Sequence, residues 1–221
     1  MGRRAGKIGV LTSGGVESAA LITWALGRFS RVTPLYVRAG LRWESVERRW
    51  LGRLVTHLAS ARLDAPVVLD VPVADLYGRH WSLTGRNVPD ADSLDPAVYL
   101  PGRNLLLLSK AAVYAALHDL DALAVGPLMD NPFPDATPEF FDAMSVAIQQ
   151  GLSASIPINT PFRALHKTDV IAQYRHLPWG LTYSCIRPVG LRHCGRCNKC
   201  AERRKAFAEA GVEDTTRYAR A

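Results

Sequence analysis

The sequence has no apolar run that approaches the roughly 18 consecutive residues of a membrane span. No hydrophobic segment of the kind found in secretory signals follows the basic residues at its start. No internal repeat or low-complexity segment is present. We therefore expect a cytoplasmic protein with no membrane partner. Its 221 residues are enough for one α/β domain with a full core and a small appendage.

Cysteine is absent from the first 184 residues. Four cysteines then follow with the spacing C-x8-C-x2-C-x2-C, at Cys185, Cys194, Cys197 and Cys200. Disulfides are rare in the cytosol, and two C-x2-C steps this close suit one tetrahedral ion. We predict a structural Zn²⁺ site with no open position for chemistry. An iron–sulfur cluster and a redox pair are the alternatives, and we expect His193 to lie behind the ligands or on the surface.

Acidic residues are scarce in the segment 186–205, which holds seven cations and one acid. The cations are Arg187, Arg192, Arg196, Lys199, Arg203, Arg204 and Lys205. Such a segment could contact nucleic acid, attract ATP phosphates or offset the charge of a metal–thiolate cluster. We favour the last two and expect no nucleic-acid partner.

A glycine-rich motif, TSGGVES, runs from Thr12 to Ser18 between a strand-like run and a helix-like run. It lacks the Gly-Lys-Ser/Thr ending of a Walker A loop and the third glycine of a dinucleotide fingerprint. Glycines still let the backbone approach an anion, and free N–H groups at the helix start point toward it. The motif alone predicts a phosphate site or an ordinary strand-to-helix turn.

Strand-like and helix-like segments alternate along the chain. The predicted strands are residues 7–12, 32–37, 66–71, 122–126 and 155–159. The predicted helices are residues 16–28, 44–60, 104–117 and 138–150, one that opens near Lys167, and 201–210. This order predicts an α/β fold with a doubly wound parallel sheet, and a ligand site at the carboxyl ends of the strands. The polar stretch 77–96 is interpreted as a mobile loop over that site.

Several later segments carry a resemblance to one family. Residues 100–109 resemble its PGRN helix opening, 134–140 its YPDCRPEF segment, and 160–167 its TP-x5-K segment. Residues 183–200 and 207–218 resemble its zinc-binding end and its C-terminus. TSGGVES resembles the SGGxDS loop of the PP-loop ATP pyrophosphatases. The chain is thus identified as a divergent member of the 7-cyano-7-deazaguanine synthase family of queuosine biosynthesis, with a resemblance that covers nearly the whole sequence.

The resemblance implies a PP-loop ATP pyrophosphatase domain, of the adenine nucleotide alpha hydrolase-like type, over residues 1–180. It also implies a four-cysteine zinc-binding helical unit over residues 181–221, and a homodimer. The implied activity is that of an ATP-dependent C–N ligase with Mg²⁺. ATP adenylates 7-carboxy-7-deazaguanine, ammonia gives the amide, and a second ATP gives the nitrile, with release of AMP and pyrophosphate.

The resemblance also implies roles for individual residues. Ser13, Gly14, Gly15 and Ser18 bind pyrophosphate, and Glu17 holds Mg²⁺ or orients the loop. Arg103 and Lys167 meet the α-phosphate and the leaving pyrophosphate. Asn104 contacts substrate or caps its helix, and Asp135 meets the guanine-like edge or a metal. The structural alternatives are an exposed helix residue for Lys167, an ion-pair partner for Arg103 and a turn residue for Asp135.

Three positions depart from the family pattern. Glu17 replaces the aspartate of the ATP loop, and the family's DYGQRH segment is absent after the second predicted strand. Ala136 and Thr137 stand where the family has Cys and Arg. These changes cluster on predicted loops around the site, and they leave the final product open.

Three alternative functions therefore remain at this stage. The activated acid could be joined to an amine of an acceptor protein as an amide conjugate, as in antiphage-defence relatives of the family. The chain could instead be a weakened nucleotide-binding partner protein. Sulfur transfer to tRNA would use the basic segment, but it usually needs a reactive cysteine pair outside the zinc site.

Overall fold

A five-stranded parallel sheet forms the centre of the protein, in a computed structural model that describes residues 5–219. Its strands are β1 (Ala5–Leu11), β2 (Phe29–Arg38), β3 (Val67–Asp70), β4 (Ala122–Ala124) and β5 (Ile158–Asn159). They lie in the order β3-β2-β1-β4-β5, and every neighbouring pair is parallel. The chain changes direction across the sheet between β1 and β4, which is where ligands of such sheets bind.

Helices cover both faces of this sheet, as the prediction of a doubly wound fold requires. They are α1 (Val16–Arg28), α2 (Glu44–His57), α3 (Ala74–Tyr77), α4 (Trp81–Thr84), α5 (Arg103–Leu117), α6 (Pro138–Leu152), α7 (Lys167–Gln173) and α8 (Asn198–Glu209). Buried residues of α1, α2, α7 and α8 form one core cluster with the sheet. Buried residues of α5 and α6 form a second cluster that includes Leu35 and Leu123 of the sheet. The predicted fold class is confirmed.

A third core cluster lies beyond the carboxyl ends of the strands. It packs Trp43, Leu100 and Tyr183 against all four cysteines. Cys185 and Cys200 are fully buried, and Cys194 and Cys197 nearly so. The cysteine unit therefore forms one wall of the region in which a ligand of this sheet would lie.

The predicted element bounds agree best where a local signal marks the end of the element. Helix α1 spans the predicted residues, because Gly15 ends the loop before it and Phe29 begins an extended strand directly after it. Helix α2 ends at His57, three residues earlier than predicted, and β5 has only two residues. The later start of β5 follows Pro157, which has no N–H to donate to a neighbouring strand.

The stretch 77–96 was predicted as a loop, and the structure describes it as a loop with short helical pieces. Helix α4 (Trp81–Thr84) follows His80, whose ring accepts a hydrogen bond from the Ser82 N–H. Trp81 stacks on Trp43 with ring centroids 5.6 Å apart. Near the other end of the stretch, Ser93 accepts a hydrogen bond on its carbonyl from the Asn198 side chain at 2.8 Å. The stretch thus joins α2 to the start of α8, and its mobility stays a prediction.

Helix α8 of the C-terminal unit packs into the core of the main domain. Ala206 and Phe207 belong to the first core cluster, and Phe207 meets Trp179 edge to face at 5.7 Å. The predicted boundary between residues 180 and 181 stays a prediction, but the two parts share one core. None of the helices within residues 5–219 has the length and hydropathy needed to cross a bilayer.

Candidate active site

A cavity of about 780 Å³ opens at the carboxyl ends of β1, β2 and β4. Its volume lies within the range of about 300–1,000 Å³ that is usual for small-molecule sites. It brings together most of the predicted site residues, namely Ser13, Gly15, Glu17, Ser18, Arg103, Asn104, Asp135 and Lys167. Gly14 lies behind the cavity wall against Leu51, and the four cysteines lie outside the cavity.

The glycine loop at β1 is held in shape by its own serines. The Ser13 N–H donates to Ser18 Oγ at 2.9 Å, and the two serine Oγ atoms are 3.4 Å apart. The Gly15 N–H donates weakly to Ser13 Oγ at 3.4 Å. Gly14 has a φ of +86°, a conformation that other residues rarely adopt. The loop therefore curves around the N-terminus of α1, where an anion is favoured.

Gly14→Ala tests whether this curvature is needed. A Cβ at Gly14 would lie 3.2 Å from Leu51 Cβ and 3.3 Å from the Leu51 backbone. With the added strain of a positive φ, we expect the free energy of unfolding to fall by about 1–3 kcal/mol in urea titrations. Gly27→Ala is the matched control, because a Cβ there meets nothing within 4 Å. Equal stability of Gly14→Ala and wild type would contradict the prediction.

Lys167 lies at the start of α7 in a cluster of charges next to the loop. Its Nζ is 3.0 Å from Glu17 Oε1, and it also contacts Glu202 of α8. Glu202 in turn accepts from Lys199 at 2.6 Å. Two cations and two carboxylates thus join the loop, α7 and the cysteine unit. Glu202 was not among the predicted site residues, although it was the one acid in the basic segment.

The pKa values of two members of this cluster, Lys167 and Glu202, are shifted so that each side chain stays in its charged form. Burial alone would lower the pKa of Lys167, but Glu17 and Glu202 outweigh it and the pKa is raised. Burial alone would raise the pKa of Glu202, but Lys167 and Lys199 bring it down to about 2. The cluster therefore carries balanced charges at neutral pH. An incoming phosphate must compete with Glu17 and Glu202 for Lys167.

Arg103 is the first residue of α5 and also lines the cavity. Its Nε–H is buried and has no hydrogen-bond partner among the described residues. A buried donor without a partner is costly, so this group is suited to an anionic or carbonyl oxygen of a bound molecule. No ion pair of Arg103 is found within residues 5–219.

Asn104 and Asp135 bind each other. The Asn104 N–H donates to Asp135 Oδ2 at 2.8 Å, and the Asn104 side-chain amide donates to the Asp135 carbonyl at 2.8 Å. Asp135 therefore caps the first turn of α5 from a distant loop, because Gly102 before the helix offers no side chain. The capping group is thus Asp135, since the Asn104 side chain donates to a carbonyl and accepts from no helix N–H within residues 5–219, and both residues line the cavity. Their roles toward a substrate stay predictions.

Glu47 is a buried carboxyl group in the cavity wall that the sequence did not single out. The Tyr36 hydroxyl donates to its Oε2 at 2.8 Å. Burial raises the pKa of Glu47 to about 7, against the opposing effects of Arg103 and of hydrogen bonds from Tyr36 and Trp43. In the sequence, Glu47 could have been found from its position one helical turn after Trp43, on the apolar face of the predicted helix.

Aromatic rings line the part of the cavity beyond Glu47. Trp43 and Trp81 form one stacked pair, and Tyr99 and Phe133 form another at 4.9 Å. Flat walls of this kind suit a planar heterocycle. The cavity thus has a charged end at the glycine loop and an aromatic end between α2 and α5.

The four cysteines converge as the spacing predicted. Their sulfur atoms all lie within 4.8 Å of one another, and two pairs are 3.9 Å apart. Tetrahedral Zn–S bonds of about 2.3 Å place sulfur atoms about 3.8 Å apart. The backbone N–H groups of Arg187 and Cys194 each donate to Cys185 Sγ at 3.3 Å, which favours a thiolate. The donor set and its spacing fit one structural Zn²⁺.

His193 and Arg203 lie beside this cluster and support it. His193 is buried, and its Nε2 accepts from the Ser184 N–H at 3.0 Å. Burial and Arg203 lower the pKa of His193 to about 4, so the ring is neutral. Arg203 is also buried, and it binds the Trp179 carbonyl and Asp214. His193 thus lies behind the ligands, and one cation of the basic segment is used inside the protein.

Mg²⁺ has no comparable preformed site. Apart from the cysteines, no group of three or more His, Cys, Asp or Glu side chains within residues 5–219 brings its ligand atoms together. Mg²⁺ commonly takes most of its ligands from phosphates and water, with one or two carboxylates from the protein. Glu17 is the carboxylate of the glycine loop that could serve in this way.

Comparisons with known proteins extend over nearly the whole chain. A family model described as "Queuosine biosynthesis protein QueC" matches residues 7–211. A "7-cyano-7-deazaguanine synthase" of Acetivibrio thermocellus is 32% identical over 220 residues, which cover 95% of this chain and 96% of the relative. A protein of the same name from Xanthomonas oryzae pv. oryzae is 35% identical over 223 residues, which cover 95% of this chain and 96% of the relative.

Two further comparisons have lower sequence identity. A "7-cyano-7-deazaguanine synthase" of Methanothermobacter thermautotrophicus is 29% identical over 222 residues, covering 94% of this chain and 97% of the relative. Among solved structures, a predicted subunit of tRNA methyltransferase from Methanocaldococcus jannaschii is 12% identical. It has a TM-score of 0.47 and covers 74% of this chain and 73% of its own.

Proposed function

The chain belongs to the QueC family of queuosine biosynthesis proteins, and we propose that it converts 7-carboxy-7-deazaguanine into the 7-cyano compound with ATP and ammonia. The carboxylate oxygen first attacks the α-phosphorus of ATP, which gives an acyl-adenylate and pyrophosphate. Ammonia then displaces AMP and leaves the amide. The amide oxygen attacks the α-phosphorus of a second ATP and releases pyrophosphate, and loss of AMP and of both protons on nitrogen leaves the nitrile.

The observation that carries the proposal is the arrangement of the two ends of the cavity. The glycine loop, Lys167 and Arg103 supply hydrogen-bond donors and positive charge where phosphates would lie. The aromatic end offers flat surfaces for the deazaguanine ring. An acyl-adenylate has the same two parts, a polyanionic nucleotide joined to a planar heterocycle. Catalysis would then come mainly from positioning and charge stabilisation.

Glu17 has a specific place in this proposal. It stays paired with Lys167 before ATP binds, and it is the loop carboxylate available to the cation that accompanies ATP. If Glu17 turned toward that cation, Lys167 would keep only Glu202 as a carboxylate partner and could meet the α-phosphate. The longer side chain of glutamate lets one residue reach both partners. The bound Zn²⁺ would hold the start of α8, and hence Glu202 and Lys199, in position.

The test is incubation with ATP, Mg²⁺, 7-carboxy-7-deazaguanine and ammonium, followed by mass analysis. Formation of the nitrile with two AMP per product supports the proposal. Amide without nitrile would point to a protein that stops after one ATP, as a conjugating homologue would. Absence of AMP and pyrophosphate with this acid would contradict the proposal and favour a nucleotide-binding partner protein.

A further inference from the structure

The buried Glu47 carboxyl group has no role in phosphate binding, yet it lies in the wall of the same cavity. Helix α2 places it next to Tyr36, which comes from β2 and donates to Oε2 at 2.8 Å. The ring of Trp43, one turn earlier on α2, stacks on Trp81. This carboxyl group therefore lies where the charged and aromatic ends of the cavity meet.

Amide and nitrile formation need a proton acceptor near the carbonyl carbon. At neutral pH most ammonia is ammonium, which has no lone pair and cannot attack an acyl-adenylate. After attack, the new C–N nitrogen must lose a further proton before AMP leaves and the amide is neutral. The later step to the nitrile removes the remaining protons from nitrogen. Each of these protons needs a base or water to receive it.

The other carboxylates around the cavity either have partners that hold them or are exposed, as Asp95 is. Glu17 and Glu202 are paired with Lys167, and the Asp135 carboxylate accepts from the first turn of α5. His166 is exposed and paired with Asp130. Glu47 forms no ion pair of salt-bridge length among residues 5–219. Glu47 is thus a buried acid of this cavity that is stabilised by the charge of Arg103 and by hydrogen bonds from Tyr36 and Trp43, without a direct ion pair.

We propose that Glu47 binds ammonium beside the acyl-adenylate, takes a proton from it, and so releases ammonia for attack on the carbonyl carbon. The O–H bond forms on the carboxylate as the N–H bond breaks, and the nitrogen lone pair then forms the C–N bond. One further proton passes from this nitrogen to water or to the phosphate of AMP, the C–O bond to AMP breaks, and the neutral amide remains. This inference rests on the proposed synthase function and assigns it a catalytic base. Trp43, which hydrogen-bonds to Glu47, and Trp81, which stacks on Trp43, line the same cavity.

The charged and titratable groups around Glu47 are compatible with this role. They are Tyr36 from β2, Glu44 from α2, Arg103 from α5 and Tyr183 from the segment before Cys185. Glu44 is occupied by the backbone N–H groups of Ala39 and Gly40, at 2.7 and 2.9 Å. Burial, the largest influence, brings the pKa of Glu47 to about 7. The group can therefore both accept and release a proton near neutral pH.

The test separates adenylation from attack by nitrogen. Exchange of pyrophosphate into ATP in the presence of 7-carboxy-7-deazaguanine reports adenylation and needs no ammonia. Product formation is then compared with ammonium and with hydroxylamine, which is largely unprotonated at neutral pH and needs no base. For Glu47→Gln we expect exchange and hydroxamate formation close to wild type. We expect ammonium-dependent product to fall by about 10²–10⁴-fold, the usual contribution of a general base.

The pH dependence gives a second readout. Wild-type ammonium-dependent turnover should rise as the pH passes about 7, because only the deprotonated carboxylate accepts a proton. The deficit of Glu47→Gln should shrink toward alkaline pH, where free ammonia becomes abundant. Glu47→Asp keeps a carboxylate and should recover part of the ammonium-dependent rate. Glu139→Gln, an exposed site on α6, is the matched control and should leave every rate unchanged.

Two results would overturn the inference. Equal loss of exchange, hydroxamate and ammonium-dependent product in a folded Glu47→Gln protein would make Glu47 a binding or structural residue. Unchanged ammonium-dependent turnover would remove it from the reaction. A failure of the proposed function gives a different result, because the wild-type protein itself would then show no exchange of pyrophosphate into ATP with 7-carboxy-7-deazaguanine. The role of Glu47 would then be contradicted together with the proposed function. Thermal melting of each variant confirms that the protein compared is folded.

Discussion

Lys167→Ala is expected to lower the release of pyrophosphate in the presence of 7-carboxy-7-deazaguanine by about 10²–10³-fold. This is the typical cost of removing one group that stabilises developing negative charge. The side chain is only 19% exposed and reaches the loop carboxylate at 3.0 Å, so it lies where the α-phosphate would be held. Initial rates of pyrophosphate release with saturating ATP give the measurement. Lys110→Ala, an exposed lysine on α5, is the matched control and should retain the wild-type rate.

The same substitution will also affect stability, and a double variant separates the two effects. Removing Lys167 leaves Glu17 and Glu202 as neighbouring carboxylates without the cation between them. Lys167→Ala with Glu202→Gln removes one of these charges and should recover part of the lost stability. It should not recover pyrophosphate release if Lys167 meets phosphate. Recovery of activity in the double variant would make Lys167 a structural ion-pair partner instead.

Removal of the metal should cause the second large effect. The apparent binding free energy of structural zinc is about 10–16 kcal/mol in zinc-finger peptides. Each kcal/mol shifts the Tm of a domain this size by about 2–4 °C. We therefore expect a fall in Tm of at least about 10 °C after chelation, with loss of pyrophosphate release. Metal analysis, melting curves without Mg²⁺, and recovery after Zn²⁺ is added back give the measurement.

The loss of activity is expected because α8 starts at the cysteine cluster. Cys197 lies directly before this helix and Cys200 within its first turn, while Glu202 contacts Lys167. Cys197→Ser should reproduce the effect of the chelator, and Arg196→Ala, an exposed neighbour, should not. A protein without metal that keeps its Tm and activity would show that the cluster is dispensable. Iron with visible absorption would replace zinc as the metal.

The sequence predicted the parts of this protein that carry strong local patterns. The glycine loop, the start of α5 after Gly102 and the convergence of the four cysteines all follow from residue types at short spacing. The order of strands and helices predicted a doubly wound sheet, and the topology agrees. In each case the physical cause lies within a few residues of the feature itself.

The rest depends on contacts between distant segments. Asp135 was expected at a ligand, and its carboxylate binds the backbone of Asn104 in a helix that it does not belong to. Glu47 lies on the apolar face of its helix, but the partners of its carboxyl group, Tyr36 and Arg103, become known only from the structure. Glu202 resembles a lone acid that balances cations until Lys167 is found next to it. Tertiary pairing of this kind leaves no pattern in a single sequence.

The contact between Glu17, Lys167 and Glu202 also has a consequence for how the protein folds. Glu17 lies just after β1, whereas Glu202 lies in α8, far along the sequence. The β1–β2 pair joins segments that are close in sequence and can form without α8. The charge cluster, by contrast, is complete only once α8 has docked beside the glycine loop.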